Sequence, residues 1–118
     1  MRWKGLSLLL ALTCSEAFAQ ACVVHSQAER LDVKVCQQNR SIPEKLFADS
    51  FCQPNLAGQQ VEVQYIDQCP AGAFGVCSNA HVANMPYRQD IHYYGVATDA
   101  AYLKPFCETQ SQGTWLKP

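Results

Sequence analysis

Cysteine stands at positions 14, 22, 36, 52, 69, 77 and 107, seven in a chain of 118 residues. Thiols at this density are crosslinks, metal ligands or redox centres, and the compartment decides among them. The first residues name the compartment. Met1-Arg2-Trp3-Lys4 is a basic start, Leu6 to Thr13 is a short leucine-rich run, and Ala17-Phe18-Ala19 offers small residues at the two positions a signal peptidase reads. Residues 1–19 therefore read as a secretory signal peptide. The apolar run is too short for a spanning helix, which needs about 20 residues. Cutting after Ala19 removes Cys14 and leaves Cys22, Cys36, Cys52, Cys69, Cys77 and Cys107. An even set in an oxidising compartment reads as three disulfides, with about fifteen possible pairings that spacing does not separate. A cut after Ala21 would put Cys22 first, as in a lipoprotein. Phe18 and Gln20 stand where a lipoprotein box has an aliphatic and a small residue, and lipidating Cys22 would strand one thiol.

The remaining chain, 20–118, is one domain by length. It holds 7 basic and 9 acidic residues once Arg2, Lys4 and Glu16 leave with the signal, a net charge of −2. Such a balance has no basic stripe for nucleic acid. With 48% hydrophobic and 16% charged residues overall, the chain is not of the disordered class.

Local patterns predict short elements in mixed order. Arg30 to Val35 alternates charge with Leu31, Val33 and Val35, a half-buried strand ending at Cys36. Ser41-Ile42-Pro43-Glu44 has capping-box spacing with Pro43 in the first turn. A helix should follow to about Phe51, burying Leu46, Phe47 and Phe51. Gln60 to Ile66 alternates again, as a second strand. Ala73 to Cys77 is a brief strand, where Gly72 and Gly75 permit close backbone approach or a bulge. Ser78 to Asp90 reads as a loop with at most one helical turn. Ile91 to Val96 is rich in β-formers. Thr98 then caps a helix whose face is Ala100, Leu103 and Cys107 and which Pro105 must interrupt or restart. Gly113 closes it, and Trp115 falls in a last extended piece. These elements predict an α+β domain: a small antiparallel sheet with two short helices, stapled by disulfides.

Cys69-Pro70, Gly75-Val76-Cys77, Tyr93-Tyr94-Gly95, Cys107-Glu108 and Gly113-Thr114-Trp115 occur in this order. The run covers about half of the chain after the signal and resembles a pattern in small exported Cys-rich bacterial proteins of unassigned function. That family usually carries two glycines before the tryptophan, where this chain has Gln112-Gly113. The resemblance implies export and a shared disulfide scaffold, and carries no catalytic residues.

Few residues invite chemistry. No Cys-x-x-Cys pair sits beside a βαβ pattern, and there is neither a Gly-x-Gly-x-x-Gly nor an iron–sulfur spacing, so a redox or oxidoreductase-type role is a distant alternative. Cys22-x-x-His25 is half a zinc motif. His81, Met85 and His92 could form a copper-type site only if their loop were helical. Asn39-Arg40-Ser41 is a sequon that matters only in a eukaryotic pathway. Asp90 and His92 would share one face of a strand and could orient a base, the germ of a small exported enzyme using Asp90, His92 and a tyrosine, yet no nucleophile elbow or free cysteine accompanies them. Tyr93 and Tyr94 must point to opposite faces. The favoured reading is an exported binding protein, periplasmic or secreted, without cofactor or metal. Its surface would be the loop from Ser78 to Tyr94, with Arg88, Asp90, His92, Tyr93 and Tyr94 in contact with an envelope or extracellular protein or a small ligand.

Overall fold

The computed structural model describes residues 20–29, 31–54, 57–81 and 84–118. The expected signal peptide, with Cys14, lies outside them. The chain forms strands β1 (Ala21–Ala28) and β2 (Leu31–Asn39), a single helical turn α1 (Glu44–Leu46) running into a π-helical turn (Phe47–Phe51), then β3 (Gln60–Ile66), β4 (Gly75–His81) and β5 (Arg88–Tyr94). A 3-10 turn (Ala97–Asp99) leads into α2 (Ala100–Thr109) and the short strand β6 (Thr114–Leu116). The six strands make one sheet in the order β3-β1-β2-β5-β4-β6, antiparallel at every pairing. The α+β fold class read from the sequence is the observed one.

Strand alternation gives the sheet two different faces. On the front, Val24 of β1 stands between Val63 and Val35 in register, and Cys22 lies in the next row. With Ile42, Phe47 and Cys52 they form one buried cluster beneath the first helical segment. A second front cluster joins Cys77, Ala80 and Cys107 beneath α2, with Ile91, Tyr93 and Trp115 against it. Gln37 bridges the two patches, its Nε2 donating to the Phe51 carbonyl and to Gln89 Oε1, both at 3.0 Å. The back carries a third cluster of Ala21, Val23 and Cys36.

All six cysteines of the described chain are paired. Cys22–Cys52 ties β1 to the end of the π turn, Cys77–Cys107 ties β4 to α2, and Cys36–Cys69 ties β2 to the segment following β3. Two staples thus hold the helical segments on the front. The third acts on the back.

Several expectations need correction. The stretch from Ser78 to Asp90 is not mainly loop: β4 runs on to His81 and β5 begins at Arg88. Polar residues hold these strands because their neighbours supply partners, as when Gln89 is buried against Gln37. The irregularity that disguised β4 is a register shift between Cys77 and Ala80, where Asn79 takes φ 58°. Asn tolerates that left-handed conformation better than most residues. The capping box is not formed either. Pro43 precedes the helix without a side-chain cap, and Ser41 Oγ instead accepts the Arg88 N–H at 2.9 Å. Asn39 organises this turn, accepting the Ile42 N–H at 2.7 Å and donating to the Ile42 carbonyl at 2.8 Å, so the sequon's amide is committed.

Nor does Pro105 break its helix. α2 is continuous through it, and both Pro105 and Ala101, whose carbonyl loses its usual partner, face solvent. The Cys77–Cys107 bridge pins the turn beyond. After α2, Gln112 has φ 51° and Gly113 passes beside the bridge, where a methyl group would lie 2.7 Å from Cys77 Sγ.

Candidate functional site

Beyond β3 the chain returns across the back of the sheet as a strap, residues 67–74, before entering β4. Four ties hold its first residues, 67–70, there. Cys69 is bonded to Cys36, its N–H donates to Gln38 Oε1 at 3.0 Å, Gln38 Nε2 reaches the Asp67 carbonyl, and the Tyr94 hydroxyl donates to the Pro70 carbonyl at 2.6 Å. Gly72 takes φ 103°, which lets the strap turn toward β4.

The strap makes one wall of a cleft of about 410 Å³. Pro70, Ala71 and Ala73 form that wall; Val76 and Ser78 of β4, with Asp90 and His92 of β5, form the floor; Leu116 and Pro118 close the far side. Register explains the floor. Cys36, His92, Val76 and Leu116 stand in one row across β2, β5, β4 and β6, so an imidazole is set between a disulfide and two aliphatic side chains. The lining is largely apolar with a few fixed polar groups, the usual make-up of a small-molecule pocket.

The five residues singled out in the sequence separate here. Asp90 and His92 line the cleft, as their spacing on one strand face required. Tyr94 shares their face but spends its hydroxyl on the strap. Arg88, opposite His81 at the end of β5, is outside the cleft and serves through its backbone, its carbonyl accepting the N–H groups of Arg40 and Ser41 at 3.2 Å. Tyr93 points to the front and stacks on Trp115 with ring centroids 5.8 Å apart. Pro70, Ala73, Val76 and Leu116 escaped sequence reading. The only hint was Cys69-Pro70 followed by Gly72 after a strand, which marks a turn without revealing what it covers.

Asp90 is engaged by the fold at both oxygens. Both of its oxygens lie 3.0 Å from Arg40 Nη1, and Oδ1 accepts the Asn79 N–H at 2.7 Å, so the carboxylate anchors the β4 irregularity. No described hydrogen bond connects it to His92, or Ser78 to either. The arrangement lacks the relay that a hydrolytic base and nucleophile need. His81 ends a strand and Met85 follows in a turn, so the helical spacing a copper-type site required is not present. Cys22 is in a disulfide and faces the front, while His25, on the back, meets Asp32 at 2.6 Å, so their half-motif does not converge. Among the described residues, no three His, Cys, Asp or Glu side chains gather as a metal would need, and no helix is long and apolar enough to cross a membrane.

Burial lowers the His92 pKa below the ordinary 6.5; the nearby Asp90 charge raises it, and is the smaller effect. Burial likewise raises the Tyr94 hydroxyl above its usual value. The imidazole is therefore neutral at pH 7, able to donate at one nitrogen and accept at the other. The unfolded chain takes up this proton at higher pH than the folded one. The contribution of His92 to stability is thus whole above about pH 6.5 and is lost as pH falls from there through the lower folded value. An NMR titration of its ring protons should give a midpoint below 6.5. A midpoint at or above that value would mean that Asp90, not burial, governs the ring.

Fold and site together define a class: a disulfide-stapled antiparallel α+β domain with a strap-walled cleft on the open face of its sheet. Its three disulfides belong to an oxidising compartment. No family model matches the chain, and neither a curated protein nor a solved structure is significantly similar to it.

Proposed function

We propose that the protein is an exported binding module, periplasmic or secreted, that holds a small and mainly apolar ligand between the strap and the back of the sheet. The observation that carries this reading is the placement of neutral His92 in the floor of an otherwise apolar cleft. The ligand's apolar body lies against Pro70, Ala73, Val76 and Leu116, and one hydrogen-bonding group meets the imidazole. The volume suits this use, since such pockets start at about 300 Å³. The signal-like first residues and the disulfides support export, as does the resemblance to exported Cys-rich proteins. Binding is favoured over catalysis because the groups a catalyst would need, Asp90 and the Tyr94 hydroxyl, are already committed to structural partners.

The test uses anilinonaphthalene sulfonate as an apolar probe, followed by amide NMR of the oxidised protein. Shifts should concentrate at Val76, His92 and Leu116. Ala73→Trp, which fills the cleft from the strap side, should weaken the probe by at least about tenfold, or 1.4 kcal/mol. Binding that leaves those three amides unmoved, or that survives Ala73→Trp unchanged, would refute the assignment.

A further inference from the structure

The two edges of the sheet are built differently. β6 is a guarded edge, three residues long and followed by Lys117-Pro118. β3 is seven residues long, pairs with β1 without a register shift, contains no proline and carries a single charge, Glu62. Among the described residues, no turn or loop backbone hydrogen bond involves residues 60–66, and no strand lies beyond them. Natural edges of this length are normally blunted by lysines, prolines, bulges or a covering segment, because a free row of N–H and C=O groups recruits another strand.

We propose that β3 is a self-association edge, pairing antiparallel with the β3 of a second copy about a two-fold axis. The partner follows from the sequence of the strand. Opposed residues in a continuous antiparallel sheet share a face, which limits symmetric pairings to alternate registers. One register pairs all seven residues, with Val63 opposite Val63 of the second copy at the centre. It sets Val61 against Tyr65 on the front, and Gln60 against Ile66 and Glu62 against Gln64 on the back. Centring on Glu62 instead would oppose two like charges, and centring on Gln64 would leave residues unpaired. The full-length register is thus also the one without repulsion, and its β-branched and aromatic pairs are of the stabilising kind. Because the strand is its own complement, the contact is isologous and closes as a dimer with one continuous sheet of both copies. The cleft near β4 and β5 is remote from the joint, so the inference stands independently of the ligand proposed above.

Gln64 and Glu62 are both exposed, so position 64 can be charged without touching the core. Sedimentation of the oxidised protein across a range of concentrations should show a reversible monomer–dimer equilibrium. Gln64→Glu places two Glu–Glu pairs across the joint and should weaken it about tenfold, whereas Gln64→Lys places two Glu–Lys pairs there and should tighten it by a similar factor. Tyr102→Ser, which removes the most exposed large apolar side chain of α2, should change nothing. A protein monomeric at every concentration, or a dimer indifferent to the charge at position 64 but lost in Tyr102→Ser, overturns the proposal.

Discussion

Full reduction of the three disulfides should unfold the protein. The closed loops span 30, 33 and 30 residues, and a loop of that length restrains the denatured chain by about 3–4 kcal/mol. The first two loops overlap in sequence, so the sum is less than additive, but it stays comparable with the roughly 5–15 kcal/mol that holds a whole domain together. Packing magnifies the loss. Among the described residues, Phe47 alone of the large side chains fully withdrawn from water is not a half-cystine; the others are Cys22, Cys36, Cys52, Cys77 and Cys107. The bridges are therefore the core as much as its fastening. Near-UV circular dichroism in strong reductant should collapse, together with amide protection in β1 and β2. An unchanged near-UV signal after complete reduction would show that the apolar clusters suffice alone.

The largest single-residue effect should fall at Phe47. It is 1% exposed, seated in the front cluster with Val24, Ile42 and the Cys22–Cys52 bridge. Phe47→Ala should cost about 3–5 kcal/mol, the range for emptying a buried aromatic site. The π turn cannot slide inward to refill the space, since Cys52 is bonded to β1 and the Tyr65 hydroxyl holds the Ala48 carbonyl at 2.9 Å. Phe51→Ala, on a half-buried residue of the same turn, should cost less than half as much. Denaturant melts of the two oxidised variants decide the matter, and equal midpoints would show that the cluster is not centred on Phe47.

Where one face of an element meets water, its sequence gave it away. β3 was legible to the residue because Val61 and Val63 alternate with exposed Glu62 and Gln64. The helical stripe of Leu46, Phe47 and Phe51 was legible for the same reason. β1 carries no such mark. It is internal to the sheet, with core on both faces, and Ala-Cys-Val-Val at its start has no polar alternation to read. β5 was half legible: Ile91 to Tyr94 looks like a strand, whereas Arg88, Gln89 and Asp90 become one only through their neighbours, Gln38 and Asn39 of β2 opposite Asp90 and Gln89, and Ala80 and His81 of β4 opposite Gln89 and Arg88.

The candidate site divides along the same line. Asp90 and His92 could be placed on a common face from spacing, and Gly75 could be marked for a close approach. A methyl there would indeed collide with the Trp115 ring. The strap was invisible, because its hold on the back of the sheet depends on which cysteine pairs with Cys36. Fifteen pairings fit the sequence about equally well, and only those that join Cys36 to Cys69 build the cleft.

The measurement bearing most directly on that cleft is the probe's NMR footprint on the double variant Cys36→Ala/Cys69→Ala, compared with the intact protein. Cys22–Cys52 and Cys77–Cys107 remain to hold both helical segments, so the variant should fold with stability lowered by about 3–4 kcal/mol. With the strap released, the shifts of Val76, His92 and Leu116 on adding anilinonaphthalene sulfonate should vanish, and the His92 midpoint should rise toward 6.5 as water reaches the ring. A folded variant that binds the probe at the same three residues with unchanged affinity would contradict a site built by the strap.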